Sequence, residues 1–376
     1  MKHDWKYIKL GDIISPAKVV RNGANKKFPV LSITMRDGIV FQSSRFKKSI
    51  ASVDTSDYKV VYNGQLVIAF PIDEGLIYTQ DIVDAGIMSP AYNVWNVDFL
   101  EIDRKFLVLY LHCPFSMAYY KSKLRGTTMR RRSMPKEDLL NMPLPVPSFS
   151  VQQSIVSELD KINELIRLKK EQLKDYDNLA QSIFYEMFGD EKYERRKLKD
   201  IVKVKSGQVS PLEDPYCDMV HVGPANIESN TGRLINLKTA KEENLISGKY
   251  LFDSSMVLYS KIRPNLNKVT IADFEGICSA DMYPLIPSKS IDKKFLLFIL
   301  KQKEFLSYAI ANSGRANIPK INREALLEYS TILPPLSLQL QFAERLALIE
   351  KQKEQISSII KDLETLLASR MQYWFD

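Results

Sequence analysis

A chain of 376 residues with 45% hydrophobic and 26% charged residues has room for two or three domains and is too apolar for wholesale disorder. Against 45 Asp and Glu, 53 Lys and Arg leave a net charge of +8 and a pI near 9.0, a moderate basic excess that suits a polyanionic partner. Scattered cysteines (Cys113, Cys217, Cys278) and histidines (His3, His112, His221) argue against a disulfide framework or a Cys/His metal cluster, and the lack of a signal core or long apolar run predicts a cytoplasmic protein with no membrane contact.

Residues 1–149 read as a mixed domain rich in short strands. Apolar runs at 28–33 and 65–70 are bounded by Gly, Asn and Pro, as strands usually are. Residues 104–120 have the length and spacing of a helix, and 121–132 form a polar, basic loop. Pro143, Pro145 and Pro147 then force an extended backbone and close the domain.

A long helix is predicted over 150–188. Ile155, Leu159, Ile162, Ile166, Leu173, Tyr176, Ala180, Ile183 and Met187 step by four and three, with one break at Lys169, which is a heptad seam. Ser150 with Gln153 reads as a capping box, and Gly189 as a stop. At about 1.5 Å per residue the helix spans roughly 55–60 Å. Such a seam needs a partner.

After this helix the chain starts again. Trp5-Lys6-Tyr7-Ile8-Lys9-Leu10-Gly11-Asp12-Ile13 is echoed by Tyr193-Glu194-Arg195-Arg196-Lys197-Leu198-Lys199-Asp200-Ile201. Phe106-Leu107-Val108-Leu109 returns as Phe295-Leu296-Leu297-Phe298, and Pro147 to Gln152 returns as Pro334 to Gln339. With two further echoes, the pairs keep one order at separations of roughly 187 to 190 residues, which marks a tandem duplication. The second helix, over 337–374, repeats the seam at Phe342, Leu346, Ile349, Ile356, Ile360, Leu363 and Leu367, with its own break at Lys353. The two seams are expected to pack on one another as an antiparallel coiled coil, with two separate intermolecular coiled coils as the alternative. The predicted fold class is α/β (α+β): two tandem globular domains, 1–149 and 191–335, separated by two long spacer helices, 150–190 and 336–376. The two Lys breaks are expected to sit close together where the helices cross.

The repeated prolyl segment, Gln and long helix (Leu144-Pro145-Val146-Pro147 to Gln152; Leu333-Pro334-Pro335-Leu336 to Gln339) resembles the specificity subunit of type I restriction-modification systems. So do the two domain openings and the segment from Met256 to Val269, and the similarity covers essentially the whole chain. The first half departs from the pattern: Phe70-Pro71-Ile72-Asp73-Glu74-Gly75 is acidic where the second half has Lys261-Ile262-Arg263-Pro264. The resemblance implies a non-catalytic subunit in which each domain binds one half of a split double-stranded DNA target. The paired helices would hold the halves apart and dock two methyltransferase subunits, with restriction subunits added to that core. S-adenosylmethionine, ATP and Mg²⁺ would then belong to the partner subunits, and no cofactor or metal to this chain.

The residues carry no catalytic signature of their own. There is no Gly-x-Gly-x-x-Gly, no phosphate loop and no nucleophile elbow; Ser89-Pro90-Ala91-Tyr92 approaches an adenine methyltransferase motif but lacks its second proline and reads as a loop. DNA-contact candidates in the first half are Lys121, Lys123, Arg125, Thr127, Thr128, Arg130, Arg131 and Arg132, cations and short hydroxyls around Gly126. In the second half they are Lys261, Arg263, Asn265, Asn267 and Lys268, with Arg315, Asn317 and Lys320. Arg matches the guanine edge and Asn the adenine edge by bidentate geometry, which singles out Arg125, Arg315 and Asn317 as base readers. Other readings of the same features are a specificity subunit of a methylation-only system and a coiled-coil adaptor whose domains bind protein.

Overall fold

The computed structural model describes residues 5–24, 28–35, 37–45, 54–125, 134–189, 193–314 and 317–375. The chain divides into two compact units, Met1–Glu171 with Ser357–Asp376, and Gln172–Ile356. Each is an α+β body that includes the beginning of one long helix and the end of the other.

In the first unit, strand Lys6–Lys9 runs antiparallel to Pro143–Val146, with Lys6 opposite Val146. A ladder of two strands tolerates the prolines because its outer edges need no donors. Beyond it lies an antiparallel sheet in the order Ile14–Pro16, Asn93–Val97, Leu66–Ile68, Ile77–Thr79. The single helix expected over 104–120 is two, Arg104–Leu111 and Pro114–Lys123. Pro114 cannot supply a main-chain donor inside a helix but fits at the first position of a new one, where Cys113 caps it.

The second unit repeats this plan. Arg195–Lys197 pairs with Ser330–Ile332, and a four-stranded antiparallel sheet runs Val202–Val204, Met282–Pro287, Val257–Ser260, Val269–Thr270. Asp292 caps helix Lys293–Lys301 through the Phe295 amide, as Asp103 caps Arg104–Leu111 through the Phe106 amide. The second unit adds a five-stranded sheet in which Val220–Val222 lies parallel to Gly276–Cys278. Among the described residues the first unit holds a parallel bridge at the matching place, Val30 to Ile87.

The long helices run Phe149–Phe188 and Leu336–Phe375, 40 residues each. Ser150 is therefore already the second helical residue, and Gln153 is exposed, so the expected capping box does not form. The neighbouring glutamine explains the repeated motif instead. Gln152 is fully buried; its Oε1 accepts from the Asp103 amide (2.7 Å), and its Nε2 donates to the Glu101 and Pro147 carbonyls (2.9 Å each). Gln339 makes the same three bonds, to the Asp292 amide (2.8 Å) and the Ser290 (3.0 Å) and Pro334 (2.7 Å) carbonyls. A buried amide with donors and acceptor satisfied clasps the helix start to the loop before the capped helix.

Within each unit the two helix segments are antiparallel. In the first, Glu158 meets Arg370 and Trp374 while Lys170 meets Glu364 at 2.8 Å. In the second, Asp177 meets Lys353 at 2.9 Å while Phe184 packs on Phe342. Ile155, Leu159, Ile162, Ile166 and Ile360 are buried in the first unit, with Leu363 and Leu367 half-buried. In the second unit Phe342, Ile349 and Ile356 are buried, and Leu173, Ile183 and Leu346 are half-buried. In the second unit the break at Lys353 is set against the Asp177 carboxylate at 2.9 Å. An ammonium half-buried on an apolar seam settles where a carboxylate can meet it, not opposite a second cation.

Candidate nucleic-acid interface

In the second unit the structure brings together two basic segments that lie about 50 residues apart in the chain. Strand Val257–Ser260 runs into Lys261, whose carbonyl accepts from the Ile321 amide at 3.0 Å. The Arg263 amide donates to the Pro319 carbonyl at 2.7 Å, and Ile262 forms an isolated antiparallel bridge with Lys320. Between them the turn Pro264–Leu266 is bracketed by Arg263 (φ 47°) and Asn267 (φ 48°), both left-handed. Non-glycine residues held there cost strain, which the cross-chain bonds offset, and such residues cluster at functional sites.

The candidate side chains sort into two groups. Arg263, Asn265, Asn317 and Lys320 are exposed. Lys261, Asn267 and Lys268 are turned to internal partners. The Lys261 ammonium donates to the Ala280 carbonyl (2.6 Å), lies 3.5 Å from the Asp281 carboxylate and stands over the Tyr283 ring. The Lys268 ammonium donates to the Pro224 carbonyl (2.6 Å), and the buried Asn267 amide donates to the Lys301 carbonyl (3.3 Å). These three shape the surface that the exposed four present. Arg315 lies outside the described residues.

The first unit is built differently. Lys121 and Lys123 end the helix Pro114–Lys123, and Arg125 follows two residues on. Lys123 and Arg125 share one carboxylate, Asp138, at 3.6 and 3.4 Å, so two cations are set against one anion. Lys123 also stands 5.7 Å from the Tyr119 ring centre, while Lys121 is exposed. Thr127, Thr128, Arg130, Arg131 and Arg132 lie outside the described residues. The place of the Arg263–Asn267 loop is taken by the acidic turn Ile72–Glu74, ended by the left-handed Gly75. Ser89 and Tyr92 sit in a turn beside an open cavity of about 420 Å³. Asp138 had no signal in the sequence, because its role depends on a helix packing back from the far side of the basic loop.

Asp214, Cys217 and Asp218 are the group of metal-ligand side chains that converge among the described residues. Cys217 Sγ donates to Asp214 Oδ1 at 3.0 Å, and this bond raises the thiol pKa, so the thiolate that a metal requires is disfavoured. Buried Cys278 is pushed up to about 12 and is equally unsuited. Among the described residues no helix is long and apolar enough to cross a membrane.

A family model for the type I restriction modification DNA specificity domain matches residues 2–175 and again 190–365. The chain belongs to this family. Its two copies of the domain coincide with the duplicated architecture, and the protein is a specificity component rather than a catalytic one. Over 149 residues, 40% of this chain, it is 38% identical to the type I restriction enzyme EcoDI specificity subunit of Escherichia coli; that match spans 33% of the relative's length. It is 23% identical to the MjaVIII specificity subunit of Methanocaldococcus jannaschii, covering 97% of this chain and 92% of that one. Among solved structures it matches, at TM-score 0.60 and 18% identity, a chain of a type I restriction-modification system solved for its complex assembly and conformational transition, covering 99% of this chain and 97% of that one. It also matches the S subunit from M. genitalium at TM-score 0.52 and 13% identity, covering 100% and 97%. Both share the antiparallel-helix, tandem-domain fold.

Proposed function

We propose that this specificity subunit reads a bipartite double-stranded DNA target, one half with each globular unit. The two 40-residue helices serve as spacer and as the dock for two methyltransferase subunits, to which restriction subunits add. The observation that carries this reading is the convergence of Arg263, Asn265, Asn317 and Lys320 on one exposed surface from two distant segments. Exposed cations next to exposed amides suit a surface that touches phosphates and base edges together. Lys121, Lys123 and Arg125 take the corresponding role in the first unit, together with Thr127, Thr128, Arg130, Arg131, Arg132 and, in the second, Arg315.

The half-sites would then be read about one helical turn, roughly 10 bp, apart. The target adenine would be turned out of the stack into a partner methyltransferase, which holds the S-adenosylmethionine; ATP and Mg²⁺ serve the restriction subunits. This chain's share of the chemistry is position.

Sequencing methylated adenines in the host with the gene intact, deleted and replaced by R263E/K320E tests the proposal. A two-part motif should be present in the first strain and lost in the other two. A motif that persists after deletion overturns the reading. In vitro, the double substitution should lower the slope of log affinity against log salt by about 2, since each phosphate contact contributes roughly 0.9.

A further inference from the structure

Loop 228–233 of the second unit lies directly against the turn Pro264–Leu266. Ile227 and Leu234 form an antiparallel bridge that brings the chain back on itself. Between them the Glu228 amide donates to the Arg233 carbonyl at 2.9 Å, and the Gly232 amide donates to the Glu228 carbonyl at 3.1 Å. At the tip the Asn230 amide donates to the Leu266 carbonyl at 3.2 Å, so the loop is bonded to the turn that separates Arg263 from Asn267.

One residue ties loop and turn to the same helix end. The Lys301 ammonium, closing helix Lys293–Lys301, donates to the Thr231 carbonyl at 2.6 Å, while the Lys301 carbonyl accepts from the Asn267 side chain at 3.3 Å. Gly232 is buried with φ 76°; a Cβ there would collide with the Val269 carbonyl oxygen and lie 3.2 Å from Lys301 Nζ. The first unit repeats the device on its matching strand, Ile77–Thr79. Gly38 has φ 67°, a Cβ there would lie 3.2 Å from the Tyr78 ring, and the Tyr78 hydroxyl donates to the Met35 carbonyl at 3.3 Å.

Three side chains of loop 228–233 face solvent. Asn230, Thr231 and Arg233 are exposed, and Arg233 keeps 68% of its side chain open. One carboxylate arranges two of them. Glu228 accepts from Thr231 Oγ1 at 2.6 Å and from Arg233 Nη2 at 2.9 Å, and these bonds hold its carboxyl below the ordinary range. An exposed pair of this kind adds little to stability. What it does is orient a guanidinium beside a turn region whose own exposed members are Arg263 and Asn265.

We propose that loop 228–233 is a further segment of the second unit's DNA surface, beside the turn Pro264–Leu266 and segment 317–320, with Asn230 reading a base edge and Arg233 holding a phosphate. The assignment rests on the function proposed above and deepens it. An asparagine amide donates and accepts along one edge and so matches adenine. An arginine aligned by a carboxylate on one side presents its remaining N–H groups to a phosphate oxygen.

Two substitutions test the assignment. Glycine keeps the left-handed backbone that Asn230 holds at φ 66°, so N230G removes the amide and leaves the turn. Methylated adenines sequenced in a host carrying N230G should show the two-part motif with one A·T position of one half-site relaxed, because a bidentate contact discriminates roughly 5- to 150-fold. Full-length R233Q, with its partner subunits on duplex DNA bearing the motif, should lower the slope of log affinity against log salt by about 0.9. A motif unchanged at every position in N230G overturns the base reading, and an unchanged slope in R233Q overturns the phosphate contact. R263E/K320E separates the two levels. If it abolishes the motif while both loop variants match the natural chain, the loop assignment alone falls and the functional reading stands. If the natural chain itself gives no two-part motif, both fall.

Discussion

The two places where a long helix ends inside a globular unit do the same work with different chemistry. In the second unit, at the end of the first helix, Phe188 packs edge-on against Phe295 and Phe342, while Phe184 meets Phe342 edge-on and Phe295 and Phe298 at a tilt, with centroid separations of 4.8 to 6.3 Å across the cluster. In the first unit Phe375 packs on Phe106 and Tyr110, but the turn before it is held by charge. Arg370 donates to both oxygens of Glu158, Trp374 Nε1 donates to the same carboxylate at 3.0 Å, and the Arg370 guanidinium lies over the Tyr373 and Trp374 rings. The difference teaches that the duplicated fold requires a filled joint and not a particular filling. Apolar area and a partly buried ion pair both meet that requirement, but they answer differently to mutation and pH.

The largest effect should come from F342A, which empties the centre of the aromatic joint and costs about 3–5 kcal/mol. All three tryptophans, Trp5, Trp95 and Trp374, lie in the first unit, so tryptophan emission follows that unit alone. In F342A the second unit should melt early by calorimetry while the tryptophan transition keeps its midpoint. A tryptophan midpoint that moves with it would show that the units do not unfold independently.

A smaller loss, equal in both halves, is expected from Q152L and Q339L. Each strands one amide and two carbonyls that the buried side chain had satisfied, and relaxation toward water should hold the net cost to about 2–3 kcal/mol. Urea midpoints of the two variants, each read in its own unit, measure this. A loss confined to one half would end the claim that the clasp is the shared element.

The smallest effect separates the joints by pH. The Arg370 hydrogen bond, helped by that of Trp374, holds the Glu158 carboxyl below its ordinary range, and the group is about one-third exposed. A depressed folded-state pKa gives stability that is present above the unfolded value, roughly 4.3, and is lost as pH falls through the folded value. The unfolding free energy from tryptophan-detected urea titrations should therefore drop by up to about 1 kcal/mol between pH 6 and 3.5 beyond the drop in R370M. Equal acid responses in the two proteins would remove the ion pair from the account.

Much of the architecture was legible because it is periodic. A 3.5-residue seam names its own buried face whatever surrounds it, and Phe342, Ile349, Ile155 and Leu159 are buried where that period places them. The candidate interface was less legible. Arg263 and Lys268 look alike as cations in one short loop, yet one is exposed and the other bonds to the Pro224 carbonyl, a partner 44 positions away. Gln152 and Gln339 were visible as a repeated letter without a visible task, because their partners at Glu101, Asp103, Ser290 and Asp292 lie about 50 residues back.

By itself the sequence determined the duplication, the length of both helices, their seams and the basic excess, since each follows from spacing or counting along the chain. Tertiary structure alone decided which charges face outward, which carboxylate meets Lys353 and how each helix end is packed. Those outcomes depend on the few hydrogen bonds and ring contacts that form once distant segments close on each other, and no local period records the partner.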